Sequence, residues 1–132
     1  VLTKDMDILT EYARSALHRT ISHLYADENN EISVLTVDPK LEKTFLDIIK
    51  NPNFGGKVNL PPLIYDRFRK DLSEKVRQML EQAKEPVILC SAAIRMYLKR
   101  VIEEIFPNVV VLSYNEISQG TNIISLGMVS GG

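Results

Sequence analysis

Two short stretches made only of apolar residues constrain this chain more than any other feature. Residues 87–90 and 109–112 are apolar throughout, and a pattern typical of one amphipathic helix lies between them. Apolar runs of this length are typical of strands buried on both faces. Because parallel neighbours need a long crossover connection, usually a helix, we predict a parallel, right-handed βαβ unit in this part of the chain.

The N-terminal part predicts a helix and a strand. Apolar residues recur at three-and-four spacing over residues 5–25, which predicts a helix that Asp5 or Asp7 can cap. A polar turn follows, and then residues 31–37 contain β-branched residues in a mostly alternating order. That order predicts a short strand.

Two further helices are expected before the βαβ unit. The pair Asp38-Pro39 is a helix start, because the carboxylate accepts from free amides and proline at the first helical position loses no needed donor. The pair Asn51-Pro52 ends this helix. A long helix follows over residues 61–83, with an inward apolar face that includes Leu80.

These elements predict an α+β fold in two parts. Residues 1–84 form a mainly helical subdomain with a short strand, and residues 85–132 form a small α/β subdomain built on the βαβ unit. Within the second part, Ser91 is a suitable cap for the crossover helix, and residues 122–129 predict another strand.

Composition narrows the class of protein. With 45% hydrophobic and 25% charged residues, the chain is expected to fold around a packed core. The formal net charge of −1 argues against a general binding surface for nucleic acid, and no apolar run approaches the length that spans a bilayer. The single cysteine fits a reducing cytoplasm. The first residue, Val1, suggests a piece of a longer chain, upstream of which a membrane segment could lie.

One arrangement suggests chemistry. Cys90 follows a strand and Arg95 stands near a helix start, so the alternative function is a small α/β enzyme that acts on an anionic substrate through these two residues. A phosphatase loop needs five residues between cysteine and arginine, and here there are four. His18 and His23 are five apart and face different ways, so no metal site and no cofactor site is predicted. A response-regulator-like module is disfavoured, because no aspartate ends either buried strand. We therefore predict that the chain is not an enzyme.

Ordered landmarks along the chain resemble a known family. They are the segment 86–95 (PVILCSAAIR), the Phe106-Pro107 pair and the segment 111–117 (VLSYNEI), preceded by similar segments at 9–21 and 32–39. In this order they resemble the FlhA and InvA family of flagellar and injectisome export-gate proteins. His18 and Ala92 depart from the family pattern, where glycine and proline are frequent.

The resemblance implies a non-enzymatic docking platform. Family members join a membrane region to a cytoplasmic region that forms a nine-membered ring at the bacterial inner membrane. That region is expected to bind export chaperones with their substrates, subunits of the ATPase complex, and neighbouring copies of itself. This chain corresponds to the last two cytoplasmic subdomains, a soluble segment without membrane contact of its own, and the Cys-Ser and Ile-Arg landmarks favour the flagellar branch. The residues predicted to bind partners are Tyr12, Arg14, Arg19, Thr20, Arg95 and Lys99.

Overall fold

The structure, a computed structural model, describes residues 2–16, 25–118 and 120–131, and within the first helix it describes side chains from Asp7 to Arg14. Helices and strands are mixed along the chain, with two consecutive helices between the first two strands. In chain order they are α1 (Leu2–Ala16), β1 (Glu31–Val37), α2 (Pro39–Lys50), α3 (Pro62–Glu81), β2 (Val87–Cys90), α4 (Arg95–Glu103), β3 (Val110–Ser113), a 3-10 helix (Tyr114–Glu116) and β4 (Asn122–Val129). This is an α+β fold, as predicted.

The four strands form one parallel sheet in the order β3-β2-β1-β4. β2 and β3 are parallel neighbours connected through α4, which confirms the predicted parallel βαβ unit. The bounds of β1 and β4 are those predicted. Since β3 and β4 lie at the two ends of this strand order, each has a partner on one side only among the described strands.

The strands β1, β2 and β3 are largely buried on both faces of the sheet, but the two faces are covered differently. Successive residues of a strand point to opposite faces, so Val34 and Leu35 of β1 belong to different clusters. The larger cluster combines Leu35 with Phe45 of α2, Phe68 of α3 and other apolar residues of the helices α2 to α4. The smaller cluster combines Val34 with four further strand residues, against which Tyr25, Ala26, Val110 and Ile117 pack.

Helix ends show where local sequence decides the structure and where it does not. Asp38 caps α2 as predicted, because its side chain accepts a hydrogen bond of 2.9 Å from the amide of Lys40. The prediction that Asp5 or Asp7 caps the first helix is wrong, since α1 begins at Leu2 and both lie inside it. The prediction for Ser91 is also wrong: a turn occupies the next three residues, α4 begins at Arg95, and Ser91 Oγ has no hydrogen-bond partner in the part of the chain that is described.

The inward face of α3 is confirmed with one exception. Phe68, Leu72, Val76 and Met79 are buried in the main cluster, whereas Leu80 is exposed. Leu80 lies one residue beyond the buried Met79 and therefore about 100° around the helix, which turns it away from the sheet.

The predicted division at residues 84 to 85 stays a prediction, but the contacts do not follow it. β1, from the first part, lies between β2 and β4, from the second part. The main core cluster likewise takes residues from both parts. No helix within the described ranges is both long enough and apolar enough to cross a bilayer.

Candidate functional site: a buried ion-pair cluster

A buried arginine lies at the centre of the site. Arg95 opens α4, and only 8% of its surface is exposed. Its guanidinium donates two hydrogen bonds to the Glu11 carboxylate of α1, at 2.8 Å from Nε and 3.1 Å from Nη2. A third bond, of 3.0 Å from Nη1, goes to the carbonyl of Val111 in β3. Arg95 therefore ties α1 to the start of α4 and to the sheet.

The second centre of charge is a buried glutamate. Glu116 is 1% exposed and lies in the 3-10 helix, where its carboxylate accepts from the amide and the hydroxyl of Ser113 in a capping box. Arg14 of α1 donates to both of its carboxylate oxygens, at 2.7 and 3.3 Å. Arg95 Nε lies 3.6 Å from the same carboxylate. Two arginines and two glutamates thus form one cluster in which each buried charge has a partner of opposite sign.

Burial and the neighbouring charge of Glu11 shift the pKa of Arg95. Burial by itself lowers the pKa of the Arg95 guanidinium, but the hydrogen bonds and the charge of Glu11 outweigh that effect and raise the pKa above its usual value. A buried charge is tolerated only when it is paired and hydrogen-bonded, and both conditions hold here. Removing one member leaves another buried charge without compensation.

A third ion pair extends this attachment along α1. Asp7 accepts from Nη2 of Arg100 on α4, at 3.1 Å. Asp7, Glu11 and Arg14 are spaced by four and three residues, which places them on one face of α1. In the part of α1 whose side chains are described, the face turned to the rest of the chain is therefore charged.

The opposite side of α1 is apolar and exposed. Ile8, Leu9 and Tyr12 are 59%, 66% and 76% exposed. The sequence predicts an apolar helix face that includes Leu9 and Tyr12, and the structure leaves both of these side chains exposed. Within residues 7–14, α1 is thus oriented against the usual rule for a surface helix, with its charges inward and its large apolar side chains outward.

Lys99, another predicted partner-binding residue, lies on α4 and bonds within the chain. Its ammonium group donates to the carbonyl of Val109 at 2.6 Å and lies 3.7 Å from the Glu103 carboxylate. The basic residues of α4 therefore all donate hydrogen bonds to groups of this same chain. Arg95 donates to Glu11, Lys99 to the carbonyl of Val109, and Arg100 to Asp7. Arg100 also lies over the ring of Tyr97, at 5.9 Å from its centroid.

Of the predicted partner-binding residues, the structure brings Arg14 and Arg95 together around Glu116. Tyr12 lies apart from them on the exposed side of α1. Arg19 and Thr20, like the two histidines, lie outside the described residues. Sequence reasoning missed Glu11 and Glu116, although the spacing of Ser113 and Glu116 is that of a capping box and could have drawn attention to the glutamate.

The Cys90 loop does not have the geometry of an anion site. Cys90 is fully buried, and burial, followed by the nearby charge of Glu42, strongly raises the pKa of its thiol. The amide of Ser91, which in a phosphate-binding loop would face the ligand, donates at 3.0 Å to the Glu42 carboxylate from α2. A carboxylate of the chain itself thus occupies the position where a substrate anion would bind. No group of residues able to hold a metal ion occurs in the described ranges.

The fold and the site define a class: a parallel-sheet α+β domain that carries a flanking helix on buried ion pairs. A family model described as the FHIPEP family matches residues 1–122. The chain belongs to that family, which confirms the resemblance found in the sequence.

Two curated relatives show how much of the longer proteins this chain represents. Flagellar biosynthesis protein FlhA of Bacillus subtilis is 34% identical over 128 residues, which are 97% of this chain and 19% of that protein. Low calcium response locus protein D of Yersinia pestis is 30% identical over 126 residues, 96% of this chain and 18% of that protein. The chain therefore spans about a fifth of these relatives.

Solved structures share the fold. The MxiA protein of Shigella flexneri superposes with a TM-score of 0.79 at 26% identity, over 96% of this chain and 38% of that one. The Chlamydia pneumoniae CdsV protein in complex with CdsO gives 0.78 at 29% identity, over 93% and 35%. The nonameric SctV-C of EPEC gives 0.68 at 30% identity, over 92% and 36%.

Proposed function

We propose that this chain is part of the ring-forming cytoplasmic platform of a type III protein-export gate, flagellar or injectisome, and that it docks proteins instead of catalysing a reaction. The observation that carries the proposal is the orientation of α1. Three ion pairs hold the helix with Ile8, Leu9 and Tyr12 pointing outward. A fixed, exposed apolar stripe on a domain of this family is a surface for other proteins.

The related proteins suggest which partners to propose for this chain. One neighbour is a nonamer and another was solved with CdsO, so we propose copies of the same protein and a subunit of the ATPase complex as partners. Export chaperones with their substrates complete the proposed set. We propose that this chain lies at the cytoplasmic face of the inner membrane and that the longer protein is embedded in that membrane. Nucleic acid is not among the proposed partners, since the net charge is −1.

The predicted contact residues divide into two roles under this proposal. Tyr12 is available to a partner, and tyrosine is enriched among the residues that dominate binding at protein interfaces. Arg14, Arg95 and Lys99 donate to groups of the chain itself, so they act by keeping α1 and α4 in place. Arg19 and Thr20 remain proposed contacts on the basis of the sequence alone.

The geometry gives little support to the alternative function, a small α/β enzyme that acts on an anionic substrate through Cys90 and Arg95. A nucleophilic cysteine must be a thiolate, and the buried Cys90 beside Glu42 holds its proton. Arg95 is buried and already donates to Glu11 and to the carbonyl of Val111 from all three of its nitrogens. We therefore favour a non-enzymatic role.

A segment exchange tests the proposal. The matching segment of the Bacillus subtilis FlhA is replaced by this chain, and swimming and flagellin export are measured. We expect the exchanged protein to support export, and the same exchange with Tyr12→Asp to lose most of it. Leu63→Asp is the matched control, since Leu63 on α3 is likewise an apolar residue exposed by more than half, at 61% against 76% for Tyr12.

The outcome is informative only if both variants fold, so far-UV circular dichroism of each purified chain accompanies the assay. Export that is equal for Tyr12→Asp and the unmodified exchange would remove the docking role of α1. Export lost equally in Tyr12→Asp and Leu63→Asp would show a general sensitivity to surface charge and would count against this surface as well.

A further inference from the structure

The loop between α2 and α3 lies against α4, the helix to which α1 is attached. Residues 51–61 of this loop form neither helix nor strand, and Val58 among them is buried in the main core. The chain turns at Gly56, whose φ of +94° is a conformation that favours glycine. Lys57 then lies 3.4 Å from the Glu104 carboxylate at the end of α4. The path of the loop is therefore fixed by its own residues.

Phe54 provides an aromatic contact between this loop and α4. Its ring centroid lies 5.4 Å from that of Tyr97, and the two ring planes are at 72° to each other. Aromatic pairs prefer such edge-to-face arrangements, which stabilise beyond the area that they bury. Both rings are partly buried against the main core, so each has limited room to turn. Phe54 therefore helps to fix the orientation of the Tyr97 ring.

The Tyr97 ring in turn supports a cation that binds α1. The guanidinium carbon of Arg100 lies over this ring, 5.9 Å from its centroid, and the same guanidinium donates to the Asp7 carboxylate of α1. Arg100 follows Tyr97 by three residues on α4, which places the two side chains on one face of the helix. Because the side chain of Arg100 is 45% exposed, burial does not fix its position, and the ring beneath it becomes important. The contacts thus form one continuous series from the loop to α1.

We propose that Phe54 is a positioning residue for α1. By holding the Tyr97 ring under Arg100, it keeps the guanidinium directed at Asp7 and so stabilises the attachment of α1 to α4. Its effect on α1 passes through these two side chains, so it depends on the Arg100 cation as well as on the aromatic pair.

The Asp7 contact matters for the docking surface because of its place on α1. Glu11 and Arg14 attach the second half of the helix, and Asp7 is the described attachment nearest to its N-terminal end. Ile8 and Leu9, the next two residues, belong to the exposed apolar stripe. Loss of the Asp7 contact therefore allows this end of the helix, with its part of the stripe, to move away from the domain. The inference rests on the proposed function only for the role of that stripe.

Amide hydrogen exchange on the purified 132-residue chain tests this role. A helix of 15 residues is marginal in isolation, so the amides of α1 exchange whenever the helix separates from the domain. Mass spectrometry compares exchange in the peptide that covers α1 with exchange in β2 of the same sample. Phe54→Ala is expected to speed the exchange of α1 relative to β2 by about threefold, the change that corresponds to loss of one exposed cation–π contact.

Matched variants separate positioning from general packing. Phe54→Tyr keeps the aromatic ring and is expected to keep the exchange rate of α1. Tyr65→Ala removes another ring that is partly buried against the main core, on α3, and is expected to lower stability without a selective change in α1. In an Arg100→Met background, Phe54→Ala is expected to add nothing to the exchange of α1, since both changes interrupt the same series of contacts.

Four results would overturn the inference. They are unchanged exchange of α1 in the folded Phe54→Ala variant, faster exchange in Phe54→Tyr, an equal selective increase in Tyr65→Ala, and an increase in the Arg100→Met background as large as in the unmodified chain. Phe54→Leu, a milder change, replaces Phe54→Ala if circular dichroism shows that the latter is unfolded. None of these measurements involves a partner protein, so the proposed function can fail in the segment exchange while this inference stands, and the reverse.

Discussion

Replacing Arg95 by methionine removes the centre of the ion-pair cluster while keeping much of the volume of the side chain. Arg95 is buried, and it provides two charged hydrogen bonds to Glu11 and one to the carbonyl of Val111. The substitution leaves the Glu11 carboxylate without its cation. Among the described residues, it also removes a positive charge beside Glu116 and leaves the pair with Arg14.

The size of the effect follows from these contacts. Hydrogen bonds to charged groups contribute about 1.5–3 kcal/mol each, and breaking a buried ion pair from one side costs about 3–5 kcal/mol. The side chain of Glu11 is a quarter exposed, so water compensates part of the loss. We therefore expect the free energy of unfolding to fall by about 3 kcal/mol, at the lower end of that range.

Urea denaturation measures this loss. The chain has no tryptophan, so far-UV circular dichroism follows unfolding. With a urea dependence of about 2 kcal/mol per molar, the midpoint is expected to move down by about 1.5 M. Arg69→Met is the control, because Arg69 and its partner Asp66 are both half-exposed, and no measurable change is expected there. A loss below about 1 kcal/mol for Arg95→Met would refute the argument that buried pairing holds this part of the fold.

Three further outcomes are expected. Burial keeps the pKa of the Cys90 thiol raised, so Ellman's reagent at pH 8 should label Cys90 only after the chain is unfolded in urea, and rapid labelling of the folded chain would contradict this. Raising NaCl from about 0.01 to about 1 M shortens the screening length from about 30 to about 3 Å and so weakens the ion pairs that hold α1. Amide hydrogen exchange in α1 should therefore become faster while β2 stays protected. An equal change of exchange rate in α1 and β2 would argue against attachment through ion pairs. The bonds from the Lys40 amide and the Ser130 hydroxyl lower the pKa of Asp38, so its stabilising effect is complete above the unfolded pKa of about 3.9 and is lost as pH falls through the folded value. The difference in urea midpoint between the unmodified chain and Asp38→Asn should therefore be present at pH 7 and shrink in acid, and a constant difference would exclude this cause.

The sequence was sufficient where a structure depends on local patterns. The strands at 31–37 and 122–129 and the cap at Asp38 follow from alternation and from the preference of aspartate for helix starts, and the structure confirms them. The parallel pairing of β2 with β3 follows from two apolar strands and a crossover helix. These inferences need only neighbours in the chain.

The position of β1 and the burial of the ion-pair cluster, which the sequence did not predict, depend on contacts between distant residues. The place of β1 in the middle of the sheet depends on pairing with β2, about 50 residues later, and with β4, about 90 residues later, and no local pattern encodes that order. The partners of Arg95 are likewise remote, since Glu11 is 84 positions away. A charged residue is normally predicted to be exposed. The burial of Arg95 and Glu116 is therefore apparent only once α1, α4 and the 3-10 helix are placed next to one another in the structure.

The direction in which α1 faces links these observations. A helix with one apolar face normally buries that face against its own domain, and Ile8, Leu9 and Tyr12 would then be unavailable to any other protein. Charged contacts through Asp7, Glu11 and Arg14 allow the same helix to be fixed in place while that face stays open. The arrangement requires buried carboxylates and arginines, which contribute less to stability than apolar packing but define a single orientation through their bidentate geometry. A helix attached in this way has its outward surface determined by buried residues, so substitutions at Arg95 should alter the proposed docking through the angle of α1 even where Tyr12 is unchanged.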